Sequence, residues 1–240
     1  GHTCLLVSEN DRELKRVKDE IRANGKGDVI TYNLDLSRPD SADQLHDYCL
    51  KKGIEVEILV NCAGIYLPIE REMQDLSAVE TIINLHVLTL TKLCFLFGRL
   101  MLERKRGWIM NVSSIASEFP DPASLTYGPT KRYVLSFSQA LHCDWKDRNV
   151  SVTCLTPGGI DTNFFRANSV FIPPIIRKTL ISATDCARAG ITAMFRGRAR
   201  VTPGISGKLQ SILLRFVSRP MTYPMIRRSY FSMKEAEGED

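Results

Sequence analysis

The sequence is short of several things, and each shortage narrows the field. No uninterrupted apolar run comes near the roughly 20 residues that a membrane-spanning helix needs. No charged, apolar and small-residue leader opens the chain, which begins at Gly1. The cysteines, at 4, 49, 62, 94, 143, 154 and 186, are odd in number and none has a metal-ligand spacing. They are expected to be reduced thiols of a cytoplasmic protein, several of them small core fillers. The histidines (2, 46, 86 and 142) form no metal motif, so single core or surface positions are expected and no metal. Aromatics interleaved on one basic face are also wanting. The net charge of +5 gathers late, at Arg196, Arg198, Arg200, Arg215, Arg219, Arg227 and Arg228. Solvated surface is the expected account of those arginines, and nucleic acid is not an expected partner.

What remains is ordinary globular material: 240 residues, 44% hydrophobic and 25% charged. That length can bury one large α/β core. Short apolar runs alternate with helical patterns. Thr3 to Val7, Val29 to Leu34, Ile58 to Val60, Trp108 to Val112 and Val150 to Leu155 read as strands. Leu14, Val17 and Ile21 repeat at helical spacing behind a cap at Asn10 or Asp11, and a second helix spans Asp40 to Lys52. Gln74 to Glu103 reads as one long helix or two adjoining ones, and Thr184 as the cap of another ending at Phe195. The alternation predicts an α/β fold with a doubly wound, Rossmann-like parallel sheet.

In such a sheet ligands lie beyond the carboxyl ends of the strands. That rule selects Ser8 and Glu9, then Asp35 and Leu36, then Asn61, Ala63 and Gly64. Turns and helix caps use the same residue types, so these positions also have a purely local explanation. Later in the chain come Ser114 after an apolar strand, Tyr127 and Lys131 one helical turn apart, and Pro157-Gly158-Gly159 after another strand. A fixed ammonium one turn from a phenol favours the phenolate and suits proton transfer near neutrality. Pro129 costs little in a first helical turn, which predicts a helix with Thr126 as cap and Tyr127 at its first position.

Taken together and in order, Asn61-Cys62-Ala63-Gly64, Asn84, Asn111-Val112-Ser113-Ser114, Tyr127-x-x-x-Lys131 and Pro157-Gly158 resemble the short-chain dehydrogenase/reductase family. The wording around Tyr127 is similar to bacterial members and to the hydroxysteroid and 3-ketoacyl reductase branches. The resemblance implies an NAD(P)-dependent oxidoreductase interconverting an alcohol and a ketone. It implies that Tyr127 exchanges the proton, that Lys131 assists it and binds the nicotinamide ribose, that Ser114 holds the substrate oxygen, and that Asn84 holds a relay water. Cofactor contacts are implied for Ser8, Glu9, Asp35, Leu36, Asn61, Ala63, Gly64, Tyr127, Lys131, Pro157, Gly158 and Thr162. The carboxylate of Glu9 tilts the expectation to NAD over NADP. A homodimer or homotetramer is expected.

One family feature is missing. No glycine-rich turn opens a helix after a first strand, where backbone amides would bind a pyrophosphate. The expected sheet therefore lacks its first strand and helix, and the chain reads as a fragment of a complete enzyme. The alternative is a non-catalytic dinucleotide-sensing or scaffold protein. The domain is expected over 1–204, with an apolar substrate lid from Phe164 to Thr179 that suggests a hydrophobic substrate. A basic amphipathic extension over 205–240 could pack on its own subunit, on a partner subunit or peripherally on a membrane.

Overall fold

The computed structural model describes residues 3–25, 27–120, 123–161, 180–205, 207–209, 211 and 224. Thr162, the lid segment and most of the C-terminal extension lie outside the described residues.

Eight strands and seven α-helices follow one another in the described chain. Strand β1 (Cys4–Ser8) leads to α1 (Asp11–Ala23), β2 (Val29–Asn33), α2 (Ser41–Lys51) and β3 (Ile58–Asn61). Two short helices, α3 (Ile69–Gln74) and α4 (Leu76–Ile83), precede α5 (Leu90–Glu103). Then come β4 (Gly107–Val112), α6 (Tyr127–Trp145) and β5 (Val150–Leu155). A small pair, β6 (Ile160–Asp161) and β7 (Ile181–Ser182), precedes α7 (Ala183–Phe195) and β8 (Arg200–Val201). All strand pairs are parallel, as the βαβ alternation predicts.

Local chemistry explains the boundaries. Asn10 is the cap of α1, its side chain accepting from the Glu13 amide at 3.1 Å. The cap of α7 is Ser182, whose hydroxyl accepts from Asp185 N at 3.0 Å. Thr184, the residue expected there, lies inside the helix, because the chain turns helical directly after β7.

The stretch from Leu76 to Glu103 is helical throughout, but its hydrogen-bond register widens into a π turn over Asn84–Thr89. This joins the two alternatives read from sequence: α4 and α5 adjoin through a register change. By length and composition the 28-residue stretch could cross a membrane. One face of it lies in the core. Leu90, Leu93, Cys94, Phe97 and Met101 pack with Ile109, Val134, Trp145 and Val152. A Cβ on Gly98 would come within 2.4 Å of the Trp145 ring, so the α5–α6 crossing depends on that missing methyl.

The sheet is in two principal pieces. β3, β4, β5 and β8 form one four-stranded sheet, and β1 and β2 form a separate pair. Leu5, Val7 and Tyr32 still pack on the common core of α2, α5 and α6. Among the described residues no strand is hydrogen-bonded between β1 and β3. The break falls where the sequence led us to expect a missing strand. Val60 of β3 is 42% exposed, unlike the β4 and β5 residues beside it. On the opposite face α7 packs Cys186 and Met194 against Met110 and Leu155.

Candidate active site

Parallel strands β3, β4 and β5 end at one edge, and the start of α6 returns to it. Tyr127 is the first residue of α6 and Thr126 its cap. Thr126 itself gives the helix no side-chain cap. The end is satisfied by Ser124, whose hydroxyl accepts from Tyr127 N at 3.2 Å, and by Glu72 of α3. Glu72 is 5% exposed, and its carboxylate accepts from Ser124 Oγ at 3.0 Å, Leu125 N at 2.7 Å, Thr126 N at 2.9 Å and Thr126 Oγ1.

Lys131 lies one turn on, on the same side as Tyr127. Its Nζ is 5.6 Å from the Tyr127 ring centroid and donates to the Val112 carbonyl at 3.2 Å. Only 5% of it is exposed. Burial disfavours the ammonium and lowers its pKa to about 8. The amine is thus an internal charge, not a solvated surface lysine.

The two serines after β4 are divided by the structure. Ser113 is buried and donates to the Lys131 carbonyl at 2.7 Å, tying β4 to α6. Ser114 is half-buried and caps the 3-10 turn Ile115–Glu118, accepting from Ala116 N at 3.1 Å. That turn packs closely on α6, since a Cβ on Gly128 would meet the Ala116 carbonyl at 3.3 Å. Below it, Glu118 pairs with Arg200, and Arg200 Nε donates to Thr156 Oγ1 at 3.0 Å. Arg200 is therefore not the solvated cation expected from sequence. Its side chain is 11% exposed because it neutralises a carboxylate that is 7% exposed.

Asn84 opens the π turn and is half-buried. Two residues on stands His86, which was expected to be an ordinary core or surface histidine. It is 1% exposed and faces the site. Its Nε2 accepts from Ile65 N at 3.1 Å, so the ring proton sits on Nδ1 and is donated to Thr130 Oγ1 at 3.0 Å. Thr130 in turn donates to the Tyr127 carbonyl at 2.9 Å. Burial, with Lys131 nearby, holds the His86 pKa well below its usual value. The ring crosses the Tyr127 ring edge-on at 5.9 Å, and Tyr66 approaches Tyr127 at 5.2 Å.

The predicted cofactor residues fall into two groups. Around Lys131 they converge. A Cβ on Gly64 would come within 3.0 Å of His86 Nε2 and 3.3 Å of Lys131 Nζ, so only glycine leaves this approach open. Ala63 is exposed and Gly158 half-buried, while Pro157 is buried and its carbonyl accepts from Ile115 N at 2.8 Å. Asn61 turns inward instead: its amide donates to Asn111 Oδ1 at 2.8 Å, and Asn111 donates to Ser138 Oγ at 3.0 Å. It is a tie between β3, β4 and α6. On the β1–β2 side the residues make local turns. Ser8 Oγ accepts from Asn10 N at 3.2 Å, Asn33 donates to the Glu9 carbonyl at 3.1 Å, and Asp35 accepts from Ser37 N at 2.9 Å. The Leu36 carbonyl accepts from Ser41 Oγ at 3.1 Å.

The roles of Glu72, His86, Asn111 and Arg200 around the site were missed by sequence reasoning. Glu72 sits in a run, Ile-Glu-Arg-Glu-Met-Gln, that looks like any solvated helix. The remaining three acquire their roles only through partners on other elements.

Residues 1–170 match a family model described as short chain dehydrogenase. A very-long-chain 3-oxoacyl-CoA reductase of Rattus norvegicus is 28% identical over 221 residues, which cover 90% of this chain and 69% of the relative. A 17-beta-hydroxysteroid dehydrogenase type 3 of Danio rerio is 29% identical over 168 residues, 68% of this chain and 54% of the relative. Among solved structures, a 7beta-hydroxysteroid dehydrogenase matches with a TM-score of 0.84 at 20% identity, covering 95% of this chain and 87% of that one. At that identity the likeness speaks for the fold.

Proposed function

The chain belongs to the short-chain dehydrogenase family, an NAD(P)-dependent oxidoreductase by that membership, and we propose that it interconverts a ketone and a secondary alcohol on a large hydrophobic substrate. The observation that carries this reading is the placement of Tyr127 above a buried Lys131, with the Ser114 turn packed on the same helix start. In reduction the Tyr127 phenol gives its proton to the carbonyl oxygen; in oxidation the phenolate takes the hydroxyl proton. The Lys131 ammonium favours the phenolate by charge. Ser114 Oγ donates to the substrate oxygen and stabilises charge gathering there. Asn84, at the widened turn, holds the water through which Lys131 exchanges protons with solvent.

The residues near Lys131 fit the nicotinamide–ribose end of the cofactor: the open approach at Gly64, the exposed Ala63 and the Gly158 loop. The bound dinucleotide supplies or accepts the hydride. The carboxylate of Glu9, beyond the end of β1, supports NAD over NADP by repelling a 2′-phosphate. The names of the two relatives support a long-chain 3-oxoacyl thioester or a steroid as substrate class. Exposed Phe95 and Tyr133 on α5 and α6 support self-association through that face. A cytoplasmic location is part of the same reading.

The test is Tyr127→Phe in the full-length protein, assayed with long-chain 3-oxoacyl thioesters and ketosteroids and each nicotinamide. Turnover is expected to fall about 10²- to 10⁴-fold with the fold intact. Retained turnover refutes the assignment. The interrupted sheet gives a second reading some support, a dinucleotide-binding protein without catalysis. Binding of NADH or NADPH by the parent protein, with no turnover of any ketone, decides for it.

A further inference from the structure

We propose that Glu72 is a positioning residue for Tyr127, a carboxylate latch that fixes the first turn of α6 and hence the phenol against Ser114 and Lys131. The inference rests on the reading of Tyr127 as the proton donor. Its physical basis stands independently of that reading.

A 19-residue helix begins at Tyr127, and its first amides need acceptors. Helix starts usually find one in the side chain of the cap. Thr126 does not serve, because its hydroxyl is turned to Glu72 and donates there. The acceptor comes instead from a separate element. Glu72 receives two backbone amides, Leu125 and Thr126, and two hydroxyls, Ser124 and Thr126. Through Ser124 the latch reaches a third amide, that of Tyr127 itself. The carboxylate therefore satisfies, directly or at one remove, the chain on both sides of the helix start.

Burial makes this arrangement matter. Ser124 is 0% and Glu72 5% exposed, so water cannot stand in for a lost acceptor. A negative charge at a helix start is also favoured by the helix dipole. The latch is held from its own side as well, since Ile69 N donates to the Ala123 carbonyl at 2.9 Å. Helix α3 and the segment before Tyr127 thus form one hydrogen-bonded unit. The loop from Cys62 to Pro68 connects that unit to β3, and it bears Tyr66 against the Tyr127 ring. Displacing the helix start by about 1 Å costs catalysis about a hundredfold when it misplaces a reacting atom.

The experiment compares the full-length parent protein with Glu72→Ala and Glu72→Gln by amide hydrogen exchange and by steady-state kinetics. In Glu72→Ala, protection of the Leu125 and Thr126 amides should fall at least about tenfold, while α6 amides beyond Val134 and those of β4 and β5 keep theirs. Glu72→Gln keeps an acceptor at Oε1 but turns an amide NH2 toward Leu125 N. Its loss of protection should be concentrated at Leu125. For Glu72→Ala, kcat should fall about ten- to a hundredfold with the KM for the dinucleotide within about threefold, and Glu72→Gln should recover part of kcat. Unchanged exchange at residues 125 and 126 in both variants overturns the latch. Lost protection with unchanged kcat overturns its role in positioning. If the alanine variant does not fold, the glutamine variant decides by the same two readings. Absence of turnover in the parent protein refutes the proposed function, and the exchange measurement still decides the latch.

Discussion

The four-stranded sheet and the β1–β2 pair are built from similar apolar sequence, yet they do different work. β4 and β5 are buried over almost their whole length, Tyr127 and Lys131 stand on α6, and Ser114 follows β4. β1 has no fully buried residue, and the polar residues at its end hydrogen-bond within the β1–β2 pair or just beyond it. The lesson is one of cooperativity. A side chain can be held at a reacting position only where its backbone is anchored from several directions. The four-stranded half supplies that anchoring through Asn61, Asn111 and Ser138, through Ser113, and through Arg200 and Glu118. Nothing comparable links β1 to β3 among the described residues.

The strongest way to break this contrast is to remove the buried charge. Lys131 holds its proton less tightly in the fold, at about 8, than the ordinary lysine value of 10.5. Between those pH values the unfolded lysine carries more of its proton than the folded one, so the Lys131 contribution to stability rises with pH through that window. The shift corresponds to about 3 kcal/mol. The buried thiols of Cys94 and Cys154, held up to about 12, pull stability the other way over the same range, so Lys131 is read from the difference between the parent and Lys131→Met, which should grow from pH 8 to 10. The substitution should also lower kcat, because the charge that favours the phenolate is gone. A parent-minus-variant stability difference that does not climb over this range contradicts the buried ammonium. The sign is the same for His86. Its folded value is depressed, so its contribution to stability is lost as pH falls below about 6.5, where the unfolded imidazole gains its proton first. His86→Gln should blunt that acid-side loss.

Next in size is the polar tie. Asn111 is fully buried and bridges Asn61 and Ser138, so Asn111→Ala strands two polar groups. It should cost about 2–3 kcal/mol by chemical denaturation. The matched change on the other half, Asn33→Ala, removes an exposed hydrogen bond to Glu9 and should cost less than about 0.5 kcal/mol. Equal costs would erase the distinction between the halves.

How much of this was legible beforehand follows the same division. The Tyr127–Lys131 pair, the helix start at Tyr127 and the strand ends were readable because they depend on spacing within one element. The break in the sheet was readable too, from the missing glycine-rich turn. The resemblance singled out Ser114, but the tie that Ser113 makes to α6 could not be read without that helix beside it. Glu72, His86 and Arg200 looked like surface charge or an ordinary histidine, because the partners that bury them lie 52, 44 and 82 residues away or thereabouts in sequence. Asn61 was assigned to the cofactor, but its side chain is used inside the sheet.

The smallest expected effect probes the open half directly. Glu9 is exposed beyond β1, and its carbonyl, not its carboxylate, is bonded to Asn33. The carboxylate is thus not engaged by that contact, and replacing it should leave stability unchanged. If it serves the ribose hydroxyls, Glu9→Ala should weaken NADH binding by about tenfold or less, as for an exposed hydrogen bond to a charged group. NADPH binding should hold or improve, since a repulsive charge near the 2′-phosphate is removed. Fluorescence titration of both nucleotides reads the difference. Parallel loss of both would mean that Glu9 supports the turn, and that the β1–β2 half contributes shape alone. A change confined to NADH would show that the loosely anchored half chooses the cofactor while the four-stranded half performs the proton chemistry.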